Sequence, residues 1–392
     1  MIRKSLKSSR PSDSFRSSGL ALRLPVAIIL IAVLSGCAMF SSSTKPQPAA
    51  LQAVSGAVSA RQAWNTRIGP INFPLDVQVV GATAFIAGSD GSVAALNALT
   101  GSDVWRTSVG SPIAAGVGSD GKVAAVVTQN NDVVALQDGR EIWRQKLSAQ
   151  AYTSPLVAGG RVFVLAADRS VNAFDGQSGR KLWTQQRPNE PLVLRQSGAI
   201  LAVGDTLVVG LSGRLAGLNP SNGTVRWEAP IASPRGINDV ERLVDLVGRV
   251  SRDGDIVCAR AFQAAVGCVN TAKGNLLWTK PANGSQGIHG DDRFLFGTES
   301  DGTVQAWRRT DGERAWTSDG LRHRSLTAPL VVGRSIAIGD FAGLVHFLSR
   351  EDGAALNRLT TDGSAIAAAP VMAGNTLIAV TRNGGVFGFV PE

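Results

Sequence analysis

The sequence predicts an all-β protein, an eight-bladed β-propeller of four-stranded antiparallel blades closed by its N-terminal outer strand. Three observations lead there: a tryptophan motif that returns about every 40 residues, strand-and-turn text between its copies, and complementary deficits at the two ends of the chain. Such repeats decide architecture before local propensity does, because a unit that cannot bury its own faces must stack on its neighbours.

The motif reads G-x-x-x-W. It occurs as "GSDVW" (101–105), "GREIW" (139–143), "GRKLW" (179–183), "GTVRW" (223–227), "GNLLW" (274–278) and "GERAW" (312–316). With Trp64 ahead of the series, the tryptophans are separated by 41, 38, 40, 44, 51 and 38 residues, and 41 more reach Asn357 in "GAALN", a decayed copy. Between copies the text is strand-like. "RVFVLAADRSVNAFDGQSGRKLW" holds a β-rich run over 161–166, a turn at Asp168 and Arg169, a second run over 170–174 and a last strand through Trp183. In "ATAFIAGSDGSVAALNALTGSDVW" the turn is Asp90-Gly91, as expected where a tight hairpin needs positive φ. Adding the upstream strand near "TSPLVAGG" gives four short strands per period, which is one propeller blade.

Counting Trp64 and Asn357, eight tryptophan-type strands stand beside eight three-stranded segments, the last being "IAAAPVMAGNTLIAVTRNGGVFGFV". Trp64 lacks preceding strands and the C-terminal segment lacks a following one. If the Trp64 strand completes the last blade, both deficits vanish. Each tryptophan then offers a large apolar face between blades from an otherwise polar outer strand.

Ahead of the repeats lies an address. Residues 1–24 are basic and Ser-rich, and "LPVAIILIAVLSGC" follows, too short for a membrane span of ~20 residues but suited to a secretory signal. Leu34, Ser35, Gly36 and Cys37 resemble the lipobox of bacterial lipoproteins, which implies lipidation of Cys37 and cleavage before it. Several acyl chains at ~0.8 kcal/mol per buried methylene make a durable anchor. Ala38 rather than aspartate after the cysteine implies delivery to the outer membrane. The expected organisation is a leader over 1–36, a flexible lipid-anchored tether over 37–58 and the propeller over 59–392.

Composition narrows the function. The chain is 44% hydrophobic and 18% charged, which excludes a disordered or fibrous protein. Its net charge of +9 includes +5 from residues 1–36, leaving +4 spread over the rest, with no basic stripe interleaved with aromatics. That points away from nucleic acid. His289, His323 and His346 are scattered over different repeats and form neither a metal site nor a triad. No catalytic, cofactor-binding or metal-ligating set is expected. Cys258 and Cys268 stand ten apart around a hairpin turn at Gln263, where they can be bonded or free.

The two longest periods, 44 and 51 residues, are adjacent, and extra residues in repeats map to loops that bind. They bring "RPNEPLVLRQSG" (187–198) and "IASPRGINDVERLVDLVGRV" (231–250). At strand spacing Leu192 and Leu194 share one face, followed by Arg195, either a patch for a protein partner or the start of an inward-packing strand. Glu241, Arg242 and Asp245 mark a charged loop.

The repeat signature "A-L-N…T-G-x-x-x-W" resembles the propellers of pyrroloquinoline quinone (PQQ) dehydrogenases over residues 60–391, and no Trp-Asp pair of the WD40 kind closes any repeat. The chain has no Cys-Cys pair of the sort that stacks on the quinone in those enzymes. Taken with the lipobox, "PLVLR" and "ERLVD", the chain resembles the BamB family of lipoproteins of the β-barrel assembly machinery. That resemblance implies a non-enzymatic scaffold without cofactor at the periplasmic face of the outer membrane. Its partners would be the POTRA domains of the insertase BamA, other subunits of the machinery and unfolded outer membrane protein clients. It assigns the insertase contact to Leu192, Leu194 and Arg195. It also implicates an acidic Asp-x-Asp pair in partner binding, of which Asp245 is present and Val247 replaces the second member. A PQQ-dependent oxidoreductase and a periplasmic ligand-binding propeller are the alternative readings.

Overall fold

A computed structural model describes residues 46–54, 56–187, 192–234, 237–238 and 242–392. Among them there is no helix, and the strands form eight four-stranded antiparallel sheets. Blade 1 consists of Gln78–Val80, Thr83–Ala87, Ser92–Asn97 and Asp103–Ser108, hydrogen-bonded in chain order from the inner to the outer strand. Six more blades repeat this order. Blade 8 is assembled from both ends: Val371–Ala373, Thr376–Val380 and Gly385–Pro391 are completed by Ala60–Arg67, which pairs antiparallel with Gly385–Pro391. The predicted closure is the one observed.

The two middle strands of each blade are buried on both faces, as in Ile86, Ala94 and Val126, so they read as continuous apolar text. Outer strands alternate instead. Each is also bulged: in blade 1 Trp105 faces Ala95 and Asp103 faces Leu96, leaving Val104 outside the ladder and exposed. The bulge twists the strand locally and re-aims its side chains.

The tryptophans weld neighbouring blades. Trp64 of blade 8 lies on Gly101 of blade 1, Trp143 of blade 2 on Gly179 of blade 3, and Trp278 of blade 5 on Gly312 of blade 6; a Cβ on those glycines would come within 2.4–2.6 Å of the ring. Indole N–H groups donate to a carbonyl three residues before the glycine, from Trp64 to Ala98 at 3.0 Å, Trp143 to Gly176 at 2.9 Å and Trp278 to Arg309 at 2.8 Å. Glycine therefore serves twice, taking the positive φ of the turn (69° at Gly179) and leaving room for its neighbour's indole.

The blade order defines two faces. On the upper face lie the turns between second and third strands and the links from each outer strand to the next blade; the other turns lie on the lower face.

The compact unit starts at Pro48, ahead of the propeller boundary expected at residue 59. Residues 48–54 and 56–58, expected within a flexible tether, are held against blade 7 (Leu330–Val332, Ser335–Gly339, Leu344–Ser349 and Ala355–Thr360). The Gly56 N–H donates to the Leu356 carbonyl at 3.0 Å, and Asn357 and Arg358 side chains donate to the carbonyls of Val58 and Gln52. These bonds reach the backbone of 48–54 and 56–58, so the small polar composition there carries no trace of them. The leader and Cys37 lie outside the described residues.

Candidate docking surface

The two long links enter blade 4 (Ile200–Val203, Thr206–Leu211, Arg214–Leu218, Val225–Pro230) and blade 5 (Leu246–Asp253, Ile256–Ala261, Ala265–Asn270, Asn275–Pro281), both from the upper face. Residues 188–191, 235–236 and 239–241, Glu241 among them, lie outside the described residues; Arg242 is exposed.

Residues 192–195 do not form the strand that their spacing suggests, and blade 4 begins only at Ile200. Leu192 is 40% exposed, whereas Leu194 is half-buried in a crevice beside Tyr152, Leu165 and Leu246. The two leucines thus divide the roles that the sequence left open: Leu194 packs inward, and Leu192 stays available. Arg195 is exposed and sets its guanidinium 5.8 Å from the centroid of the Tyr152 ring, a cation–π contact that steadies it.

Asp245 explains why this coil holds its shape. Its Oδ2 accepts the Leu194 N–H at 3.1 Å, and its Oδ1 accepts Arg169 Nη2 at 3.0 Å. Arg169 Nη2 also donates to the Leu192 carbonyl at 2.9 Å. The side chains of this ion pair are 6% and 16% exposed. The Asp245 carboxylate faces inward as a clasp, because both oxygens satisfy donors that burial would otherwise leave unpaired. Val247 is buried and bridges Gly198, so the position of the missing second acid is sealed against solvent.

The clasp continues toward the axis. The Ser197 hydroxyl donates to Asp76 Oδ2 at 2.5 Å, the Gly198 N–H to Thr153 Oγ1 at 2.9 Å, and the Gly248 N–H to the Ser197 carbonyl at 2.8 Å. One short segment is thereby tied to blades 1, 3 and 5. Replacing Asp245 with alanine should speed amide exchange at Leu194 while lowering global stability by only about 1–2 kcal/mol; hydrogen exchange with a urea titration measures both.

Arg169 is the residue that the sequence reading missed, having placed it only in a turn. The signal was there. At the equivalent turn the other blades carry Gly91, Asn131, Ser212, Gln263, Gly302, Gly343 and Gly384, all with positive φ, and Arg169 holds φ 60°. A bulky residue in that conformation invites a functional reading.

A cavity of ≈ 650 Å³ opens on the axis beside the clasp, with Asp76, Arg195, Arg249, Glu299 and Arg382 in its wall. Asp76 is engaged by Ser197 and Ser154, and Glu299 accepts Arg260 Nη2 at 2.8 Å and the Asn283 N–H. Nearby, burial together with Arg249 and Arg309 pushes His289 down to about 3, so it is neutral and its Nδ1 accepts the Val331 N–H at 3.1 Å. In blade 5, Cys258 faces Cys268 across the hairpin and the two are disulfide-bonded, with Cα atoms 4.0 Å apart.

The fold and this surface define a tryptophan-docked eight-bladed propeller with two long links gathered on one face. A family model described as outer membrane protein assembly factor BamB matches residues 89–318. The chain is 36% identical to the outer membrane protein assembly factor BamB of Burkholderia pseudomallei over 94% of its length and 98% of the relative's. It is 34% identical to that of Bordetella pertussis over 97% and 98%. The chain belongs to the BamB family. Among solved structures, BamB from Moraxella catarrhalis superposes with a TM-score of 0.77 at 23% identity, covering 84% of this chain and 99% of that one. A quinohemoprotein alcohol dehydrogenase from Pseudomonas putida superposes at 0.66 and 12% identity, covering 84% and 76%; at that identity the likeness is one of fold.

Proposed function

We propose that this chain is a lipid-anchored, non-enzymatic scaffold of the outer membrane β-barrel assembly machinery, binding the POTRA region of the insertase BamA and assisting insertion of outer membrane proteins. The observation that carries it is the coil 192–195, which presents Leu192 and Arg195 outward on a base held by the Arg169–Asp245 pair. Family membership supports the assignment. Rigid presentation favours binding because little loop entropy is lost on contact. Leu192 and Arg195 are the direct contacts in this reading, Leu194 their inward anchor and Asp245 the positioning residue. Acylation of Cys37 would hold the scaffold at the periplasmic face of the outer membrane.

The test is binding of purified BamA POTRA domains to the wild-type chain and to a Leu192→Ala, Leu194→Ala, Arg195→Ala variant. A loss of about 30-fold, ~2 kcal/mol, is expected for removing a hot spot of this kind. Unchanged affinity in a folded variant would place the contact elsewhere, and general unfolding would show that these residues serve the core.

A further inference from the structure

We infer that residues 48–54 and 56–58 act as a strap that carries the chain from the lower face of the propeller to the upper one, so that a membrane anchor at Cys37 draws the loop-bearing face toward the bilayer. The inference rests on the lipid-anchor reading of Cys37 and adds the orientation that reading lacks.

The outer strand of blade 8 begins at Ala60, opposite Pro391, at the lower face. Ser59 is fastened there, its carbonyl accepting the Glu392 N–H at 3.3 Å and its hydroxyl donating to the Glu392 carboxylate at 2.6 Å. From that point the chain could leave directly into solvent. Instead it climbs blade 7. Arg334, in a lower-face turn, donates to the Ala57 carbonyl; the Gly56 N–H donates to Leu356, and Arg358 Nη2 donates to the Gln52 carbonyl at 2.9 Å. At the top, the Ala49 N–H donates to the Arg322 carbonyl at 2.9 Å and Arg324 Nη1 donates to the Ala49 carbonyl at 3.2 Å. Arg322 and Arg324 belong to the link between blades 6 and 7, on the same face as residues 192–195 and 242–245.

The upper attachment is firm because Arg324 is itself held by Asp340, which is fully buried, at 2.7 Å. Pro48 lies eleven positions after Cys37, a leash of at most about 38 Å fully extended. Released from the strap, the leash would run from Ser59 at the lower face over 22 residues, about 75 Å. The docked strap therefore shortens the leash and moves its origin from one face to the other. It also makes a backbone bond to the outer strand of blade 7, from the Gly56 N–H to the Leu356 carbonyl.

Energy transfer from a dye on the propeller to acceptor-labelled headgroups tests this. The lipidated full-length protein would be placed on phosphatidylethanolamine and phosphatidylglycerol vesicles, with the donor at Gln129→Cys on the upper face or Lys122→Cys on the lower. Both sites are exposed and flank the single strand Ala124–Thr128 of blade 2. Higher transfer from position 129 is expected. In the Ala49→Pro, Gly56→Pro variant, which lacks two of the strap's N–H donors, that difference should be lost. Equal transfer from both positions in the wild type, or more from 122, overturns the inference. A chain that fails to bind vesicles refutes the anchor and leaves the strap to be decided by hydrogen exchange in solution. Protected Ala49 and Gly56 amides support the strap, and exchange at the rate of an unstructured chain refutes it.

Discussion

Replacing Trp143 with alanine should destabilise the propeller by about 3–5 kcal/mol, seen as a lower urea midpoint with an unchanged slope. The indole is 7% exposed and lies between blades 2 and 3, with its ring centroid 5.9 Å from that of Phe174. Its N–H bond to the Gly176 carbonyl would be lost as well. The cavity cannot readily collapse, since Gly179 has no side chain to fill it and ring closure fixes the blades on either side. Protection of amides should fall first at this seam, in the strands Arg161–Leu165 and Val171–Asp175. A loss under ~1 kcal/mol, the scale of an ordinary surface change, would mean that the seam does not depend on the indole.

This weld is also why the fold was so legible. A tryptophan about every 40 residues is a large signal, and the glycine four positions earlier is required both by the turn and by the neighbouring ring. The closure by Ala60–Arg67 followed from counting strands alone. What escaped notice is held by backbone atoms or by residues far apart in sequence. The strap is bound through its carbonyls and amides, which leave no pattern in side chains. The clasp joins Arg169 to Asp245, 76 positions away, and only the ring brings them together.

The docking coil shows the same division. Alternation of Leu192 and Leu194 resembles a strand, and a single-sequence reading has no means of knowing that the inner strand of blade 4 pairs only from Ile200 onward. Asp245 belongs to the same surface, where its carboxylate bonds Arg169 and the Leu194 N–H. Its inward role is physically coherent: an acid that fixes a loop can matter to binding without touching the partner, and its loss would be read as a binding defect.

Removal of the Asp340 carboxylate by substitution with alanine should cost about 3–5 kcal/mol, the usual consequence of leaving a buried charge without its partner. Asp340 is fully buried; its Oδ2 accepts Arg324 Nε at 2.8 Å and faces His346 Nε2 at 3.0 Å, while its Oδ1 accepts the N–H groups of Ala342 and Leu344 at 2.9 and 3.0 Å. Burial opposes its ionisation, but the bonds from His346, Leu344 and Arg324 outweigh burial and hold it below its ordinary value of 3.8. A carboxyl depressed in the folded state contributes stability that is complete at neutral pH and is lost as pH falls below 3.8 through the folded value. The wild-type protein should therefore lose more stability than Asp340→Asn when urea midpoints are compared between neutral pH and pH 3. Equal acid sensitivity in the two proteins would show that Asp340 does not govern this limb. Because Arg324 also grips Ala49, the alanine variant should free the upper end of the strap, and faster exchange at the Ala49 amide would tie the buried charge to the path of the chain.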